Sequence, residues 1–191
     1  MYNIPAVIFA GGKSSRMGKD KALLPFGTYT SLSAYQYHKL SQLFKSVYLS
    51  AKEHKFDFPC KVIEDKHQVY SPLAGFSTLF EVLKETDALF VLSVDAPLVG
   101  EEIIKKLMTI YTQHPSYDAI IAQSPQGIQP LCGIYTRGIL PRIQHALEKN
   151  QHKLTALLQE SHTLYVSFKE ELPFANLNTP TEYQDIAKKD L

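Results

Sequence analysis

The chain has 191 residues, of which 20 are Lys or Arg and 19 are Asp or Glu, so its formal net charge is +1; 45% of residues are hydrophobic and 20% charged. That balance supports a sizeable buried core in one domain spanning 1–191, excludes a disordered tail, and lacks the basic excess of a general nucleic-acid binder. No apolar run approaches the roughly 20 residues of a membrane-spanning helix, and residues 1–5 lack the basic start of a signal peptide, so the expectation is a cytoplasmic protein without a membrane partner.

Short β-rich runs alternate with longer segments whose apolar residues recur at helical spacing. The first strand is predicted over 6–10, followed by a Gly-rich loop and a helix over 31–44. Strands over 46–51 and 61–64 precede a helix over 73–84. The nearly charge-free run 88–94 reads as a strand covered on both faces, with a helix over 101–113 behind it. Strands over 118–122 and 131–135 flank residues 124–130, SPQGIQP, which read as a loop. A helix over 138–149, a strand over 163–168 and a helix over 180–189 complete the chain. Gly100 before Glu101 and Glu102 sets two carboxylates at a helix start, and Thr179 caps a helix whose first position is Pro180. The alternation predicts an α/β fold with a mostly parallel sheet wrapped by helices.

Several residue types carry no chemistry in this reading. Cys60 and Cys132 stand far apart, which fits buried, reduced thiols better than a disulfide framework or a zinc site. The seven His include no H-E-x-x-H, and the Tyr and Phe are spread through predicted strands and helices rather than gathered as a stacking platform. Lys188 and Lys189 suit a helix C-terminus.

In a doubly wound sheet ligands bind beyond the carboxyl ends of the strands, which directs attention to the loop after the first one. Residues 10–21 contain three Gly, two Ser and four basic residues. Glycines let backbone N–H groups approach a ligand, hydroxyls donate, and cations neutralise phosphate oxygens, so the loop reads as a phosphate cradle. It is neither a P-loop, because Gly18-Lys19 is followed by Asp20, nor a G-x-G-x-x-G dinucleotide turn. A second candidate is Asp95, in Asp95-Ala96-Pro97-Leu98, where a carboxylate meets the end of a buried strand that Pro97 prevents from continuing. A hard cation that bridges phosphates needs only one or two carboxylates, which suits Asp95 as a ligand and Mg²⁺ as the metal.

The stretch Phe9-Ala10-Gly11-Gly12-x-Ser14-Ser15-Arg16-Met17-Gly18-x-Asp20-Lys21-Ala22-Leu23-Leu24-Pro25 resembles the signature of MobA-like nucleotidyltransferases, of the molybdenum cofactor guanylyltransferase type. Phe9 stands where Leu or Ile is more usual. The resemblance implies a Rossmann-like three-layer α/β/α domain with a mostly parallel mixed sheet, in which Phe9, Ala10, Gly11, Gly12, Ser14 and Lys21 hold the nucleotide. Arg16 and Lys21 would balance the triphosphate, and Asp95 would be the metal ligand and catalytic carboxylate. Val62-Ile63-Glu64-Asp65 and Ser71-Pro72-Leu73-Ala74-Gly75 resemble the family segment flanking the nucleotide, adding Asp65 and Gly75 to the nucleotide set. Ser50 falls where guanylyltransferases commonly carry Asn, so the nucleoside contact expected there is altered. Asn176-Leu177-Asn178-Thr179-Pro180 and Gln129-Pro130-Leu131 resemble acceptor-side signatures, which assigns Gln129, Asn176 and Asn178 to the acceptor.

The implied reaction moves GMP from GTP to the terminal phosphate of the molybdopterin cofactor with Mg²⁺, releasing pyrophosphate. Its other expected contacts are transient ones with molybdoenzymes or cofactor-insertion proteins, and no nucleic acid. A phosphate monoester acceptor is largely ionised at neutral pH, so no general base is required, in keeping with a cation-rich loop that contains no His. The alternatives are a cytidylyltransferase on the same cofactor, a sugar-phosphate nucleotidyltransferase, which Asn176 to Pro180 disfavours, and a non-catalytic nucleotide or cofactor carrier.

Overall fold

The strands β1 (Ala6–Phe9) and β4 (Ala88–Ser93) are almost wholly apolar, and they pair in parallel at the middle of a sheet. The computed structural model describes residues 1–11, 20–65, 67, 71–177 and 182–183. β2 (Val47–Ala51) and β3 (Val62–Glu64) add on one side of β1, while β5 (Ala119–Ser124), β6 (Gly127–Thr136) and β7 (Thr163–Ser167) lie beyond β4. The seven strands run in the order β3-β2-β1-β4-β6-β5-β7, and of these β6 alone is antiparallel to its neighbours.

Side-chain alternation sends Ala6, Ile8, Phe90 and Leu92 to one face and Val7, Phe9, Leu89 and Val91 to the other. Helices α1 (Leu32–Ser41) and α3 (Glu101–Gln113) cover the first face through Leu40, Ile104 and Leu107. Helices α2 (Pro72–Val82), α4 (Leu140–Glu148) and α5 (Leu154–Glu160) cover the second through Phe76, Leu79, Ile143 and Leu157. Burial on both faces is why β1 and β4 read as unbroken apolar runs. The expected three-layer arrangement with a mostly parallel sheet is thus the observed one. Among the described residues, no helix is long and apolar enough to cross a membrane.

The predicted strands recur with ends moved by a few residues, and α3 has the predicted bounds, with Gly100 as its cap and Glu101 and Glu102 in its first turn. Three expectations need correction. Residues 124–130 are not an open loop: β5 runs on to Ser124, β6 begins at Gly127, and Ser124 pairs with Gly127 across a tight hairpin. Gly127 takes φ +139°, a conformation open to glycine, which lets so short a turn close. The helix expected over 138–149 opens as a 3₁₀ turn, Arg137–Ile139, before α4 starts at Leu140. α5 was not foreseen; Leu154, Leu157 and Leu158 form its buried stripe, but Lys153 at its N-cap donates no signal, having no side-chain capping bond. The helix expected over 180–189, with its Thr179 cap, falls largely outside the described residues.

α1 buries a lysine beside its apolar contacts. Burial pushes the Lys39 ammonium down to about 7, with a smaller opposing effect from Cys132, whose own thiol burial pushes up to about 12. The unfolded chain therefore binds more protons than the folded one above about pH 7, and Lys39 makes stability rise with pH there, by at most about 1.4 kcal/mol per unit. Cys132 acts in the opposite sense once unfolded thiols ionise, so the informative window is about pH 7 to 8.5. Urea midpoints should climb across that window in the wild type relative to Lys39→Met; parallel profiles would assign the linkage to another group.

Candidate active site

The carboxyl ends of β1, β2, β3 and β4 lie along one edge of the sheet, and β6, running the other way, brings its beginning to the same edge. The ladder continues one step past β1, with Ala10 N–H donating to the Ser50 carbonyl at 2.9 Å. Gly11 follows at the rim, and residues 12–19, with the expected Gly12, Ser14 and Arg16, lie outside the described residues. At Asp20 one carboxylate oxygen caps the 3₁₀ turn Lys21–Leu23 by accepting from Ala22 N at 3.0 Å. The other pairs with the Lys55 ammonium, which also donates to the Ala10 carbonyl at 3.0 Å. Lys55 thus ties together the two stems of the loop.

Two cavities of about 370 Å³ each open along this edge. The first is lined by Phe9, Gly11, Ser50, Asp65 and Gly75 from the expected nucleotide set, joined by Lys52 and Ser71. Asp65 is buried and heavily bonded: Oδ1 accepts from Thr78 Oγ1 at 3.2 Å and from His67 N–H at 3.0 Å, and Oδ2 from Lys52 Nζ at 2.6 Å. Ser71 caps α2 by accepting from Leu73 N–H at 3.2 Å, and Pro72 fills the first turn, so the helix begins at the cavity wall. Ala10 is buried behind this wall and does not line the cavity.

Gly75 is there for clearance. A Cβ at this position would sit 2.8 Å from Phe9 Cε1, and the Phe9 ring is backed by Phe76 at a centroid distance of 5.0 Å. The ring, which lines the cavity, would have to shift to admit that Cβ. Gly75→Ala is expected to weaken nucleotide binding about tenfold, or about 1.4 kcal/mol, in calorimetric titration; unchanged affinity would mean that the ring does not bound the ligand.

The second cavity is lined by Ser93, Asp95, Gln129, Cys132, Lys153, Thr155 and Asn176, and shares Pro72 and Leu131 with the first. Asp95 follows the end of β4; its Oδ1 accepts from Ser93 Oγ at 2.6 Å and its Oδ2 lies 3.7 Å from Lys21 Nζ. Leu177 N–H donates to the Asp95 carbonyl at 2.9 Å, which draws the 176–177 segment against the carboxylate turn. Gln129 is held by a bond from its Nε2 to Ser124 Oγ at 3.0 Å, across the hairpin. Asn178 lies outside the described residues. No histidine lines either cavity, and among the described residues no group of three or more His, Cys, Asp or Glu side chains could hold a metal.

The structure therefore gathers the expected nucleotide residues Phe9, Gly11, Ser50, Asp65 and Gly75 around one cavity and Asp95, Gln129 and Asn176 around its neighbour, with Lys21 against Asp95. Sequence reasoning missed Lys52, Lys55, Lys153 and Thr155. The first two follow β2 in a segment with no motif, and the others sit at the start of the unforeseen α5. Only the cations just past Ser50 offered a signal. Chemically, the arrangement sets a carboxylate beside an ammonium in one of two adjoining cavities, which suits joining two phosphate-bearing molecules.

Comparison with known proteins agrees. A family model described as "MobA-like NTP transferase domain" matches residues 6–164. The chain is 40% identical over 191 residues to the molybdenum cofactor guanylyltransferase of Campylobacter jejuni strain RM1221, covering 99% of this chain and 98% of the relative. The molybdenum cofactor guanylyltransferase of Helicobacter pylori strain P12 is 35% identical over 188 residues, covering 95% and 90%. In fold, the chain is similar to molybdopterin-guanine dinucleotide biosynthesis protein A from Archaeoglobus fulgidus, with a TM-score of 0.80 at 19% identity and 97% of each chain covered.

Proposed function

We propose that this chain, which belongs to the MobA-like NTP transferase family, is a cytoplasmic molybdenum cofactor guanylyltransferase. It transfers GMP from GTP to the terminal phosphate of the molybdopterin cofactor, and its product passes to molybdoenzymes or cofactor-insertion proteins. Identity of 40% to a guanylyltransferase over 99% of this chain supports the activity, and the observation that carries the site is the adjoining pair of cavities with Asp95 in the second.

In this reading GTP occupies the first cavity. Among the described residues Asp65 Oδ1 accepts two bonds and Oδ2 one, from Lys52, so Oδ2 is the carboxylate oxygen placed to accept from a base. That acceptor is compatible with the N1–H and N2–H₂ donors of guanine and also with the amino group of cytosine, so the preference for GTP rests on the similarity to guanylyltransferases. Gly11, Gly12 and Ser14 supply backbone and hydroxyl groups to the phosphates, Ala10 holds the strand end behind them through its bonds to Ser50 and Lys55, and Ser50 replaces an amide contact with a hydroxyl.

The acceptor lies in the second cavity, near Gln129, Asn176 and Asn178. One ionised oxygen of its phosphate attacks the α-phosphorus of GTP; the new P–O bond forms as the bond to the β-phosphate oxygen breaks, and pyrophosphate leaves with that electron pair. Arg16 and Lys21 neutralise the triphosphate and the leaving pyrophosphate. The donor set at Asp95 fits Mg²⁺: a single carboxylate, with Ser93 fixing one oxygen, suits a hard cation that takes its other ligands from water and phosphates. Mg²⁺ held there would spread the phosphate charge. The residues orient and neutralise, and with a pre-ionised acceptor no proton has to be removed.

The test is calorimetric titration with GTP, CTP, UTP and ATP, with and without Mg²⁺, followed by a pyrophosphate-release assay with the acceptor. GTP is expected to bind best, with metal strengthening it. Preference for CTP or UTP would move the assignment to a sister activity, and binding without pyrophosphate release would make the chain a carrier.

A further inference from the structure

Asp95 stands on a turn rather than within the sheet. β4 ends at Ser93, and residues 94–99 cross from it to the cap of α3 at Gly100. Such a turn has few ladder bonds of its own, yet a metal-binding carboxylate must be held in one place.

Two side chains of α1 grip the turn from the sheet side. Gln36, fully buried, donates from Nε2 to the carbonyls of Ser93 at 3.3 Å and Val94 at 3.4 Å. Lys39 donates from Nζ to the carbonyls of Pro97 at 2.8 Å and Val99 at 2.9 Å. The four carbonyls bracket Asp95 in sequence, two before it and two after. Three residues apart on a helix, Gln36 and Lys39 project the same way. The Tyr35 ring, 5.1 Å from the ammonium, adds a cation–π contact.

Attachment of α1 to the sheet does not require these groups, since Leu32 and Leu40 already bury against the core. Burying a lysine stem and an amide is costly, and Gln36 Oε1 has no hydrogen-bond partner among the described residues. The cost falls beside the carboxylate turn, where all four carbonyls that receive these bonds lie.

We propose that Gln36 and Lys39 are positioning residues, a strap from α1 that fixes the Asp95 turn so that the carboxylate meets a divalent cation and the phosphates it bridges. This rests on the reading of Asp95 as the metal ligand. Neither side chain is among the residues that line the two cavities, so the strap should act on metal affinity and turnover and leave the nucleotide cavity alone.

Mn²⁺, followed by its electron paramagnetic resonance signal, serves as the metal probe. Lys39→Met is expected to bind GTP without metal within about twofold of wild type, while its Mn²⁺ dissociation constant in the presence of GTP rises about tenfold. Lys39→Arg, which keeps donors for both carbonyls, should recover most of that loss. Gln36→Leu should shift Mn²⁺ affinity in the same direction, and decides the matter if Lys39→Met does not fold. Folded variants with wild-type Mn²⁺ affinity would overturn the strap alone. So would equal loss of metal-free GTP binding, which would reveal general disruption. A wild-type protein that binds GTP but no Mn²⁺ would overturn the metal reading of Asp95 and the strap with it.

Discussion

Asp95→Asn is expected to lower pyrophosphate release by about 100-fold or more at saturating GTP and acceptor, with little change in melting temperature. The substitution keeps the shape of the side chain, and an amide oxygen can still accept from Ser93 Oγ, now at 2.6 Å from Oδ1. What disappears is the charge at Oδ2, the atom facing Lys21 and the proposed metal. The transition state spreads negative charge over phosphate oxygens, and removing a preorganised electrostatic partner from such a site typically costs two to three orders of magnitude, or about 3–4 kcal/mol. The side chain is about a quarter exposed, so folding loses little when its charge is removed. Steady-state assays paired with thermal melts check both halves. A variant that stays active and still responds to metal would remove Asp95 from the mechanism.

Lys21→Ala should reduce turnover by about 10- to 100-fold when nucleotide is saturating, a loss of about 1.4–2.8 kcal/mol of transition-state stabilisation. The ammonium lies 3.7 Å from Asp95 Oδ2, too long for a tight hydrogen bond but close enough to balance charge as pyrophosphate departs. An interaction made mainly with the leaving group should appear in kcat more than in KM. Lys21→Arg retains the cation and should keep part of the activity, although a planar guanidinium cannot occupy the same point beside Asp95. Full turnover in Lys21→Ala would assign pyrophosphate neutralisation to other residues.

Much of this architecture was legible in the residues because burial on both faces leaves an unmistakable record. Runs such as Ala88 to Ser93 cannot satisfy a half-exposed helix, and Gly100 with two following glutamates marks a helix start from local electrostatics alone. The gathering of residues around the two cavities was legible where it is local in sequence, at Phe9 and Gly11 and around Asp95. It was not legible where the effect depends on a distant partner. Lys39 looks like a solvated helix lysine until Pro97 and Val99 are seen 58 and 60 residues away at its tip. Lys55 reads as an ordinary loop cation until it is found bridging Ala10 and Asp20. The hairpin at Ser124 to Gly127 hid behind Pro and Gly, which mark a turn without saying how tightly the chain closes, and α5 hid behind its shortness and lack of a capping side chain.

The shared border of the two cavities has a consequence for how the molecule can change. Every lining residue named for the first, apart from Leu131, precedes position 76; every one named for the second, apart from Pro72, follows position 92. In the proposed reading, donor and acceptor substrates are thus written in successive halves of the chain, meeting at a wall of two apolar side chains. A chimera joined between α2 and β4 should inherit the base preference of its first parent and the acceptor of its second, so that one half can diverge to a new substrate while the other keeps its own.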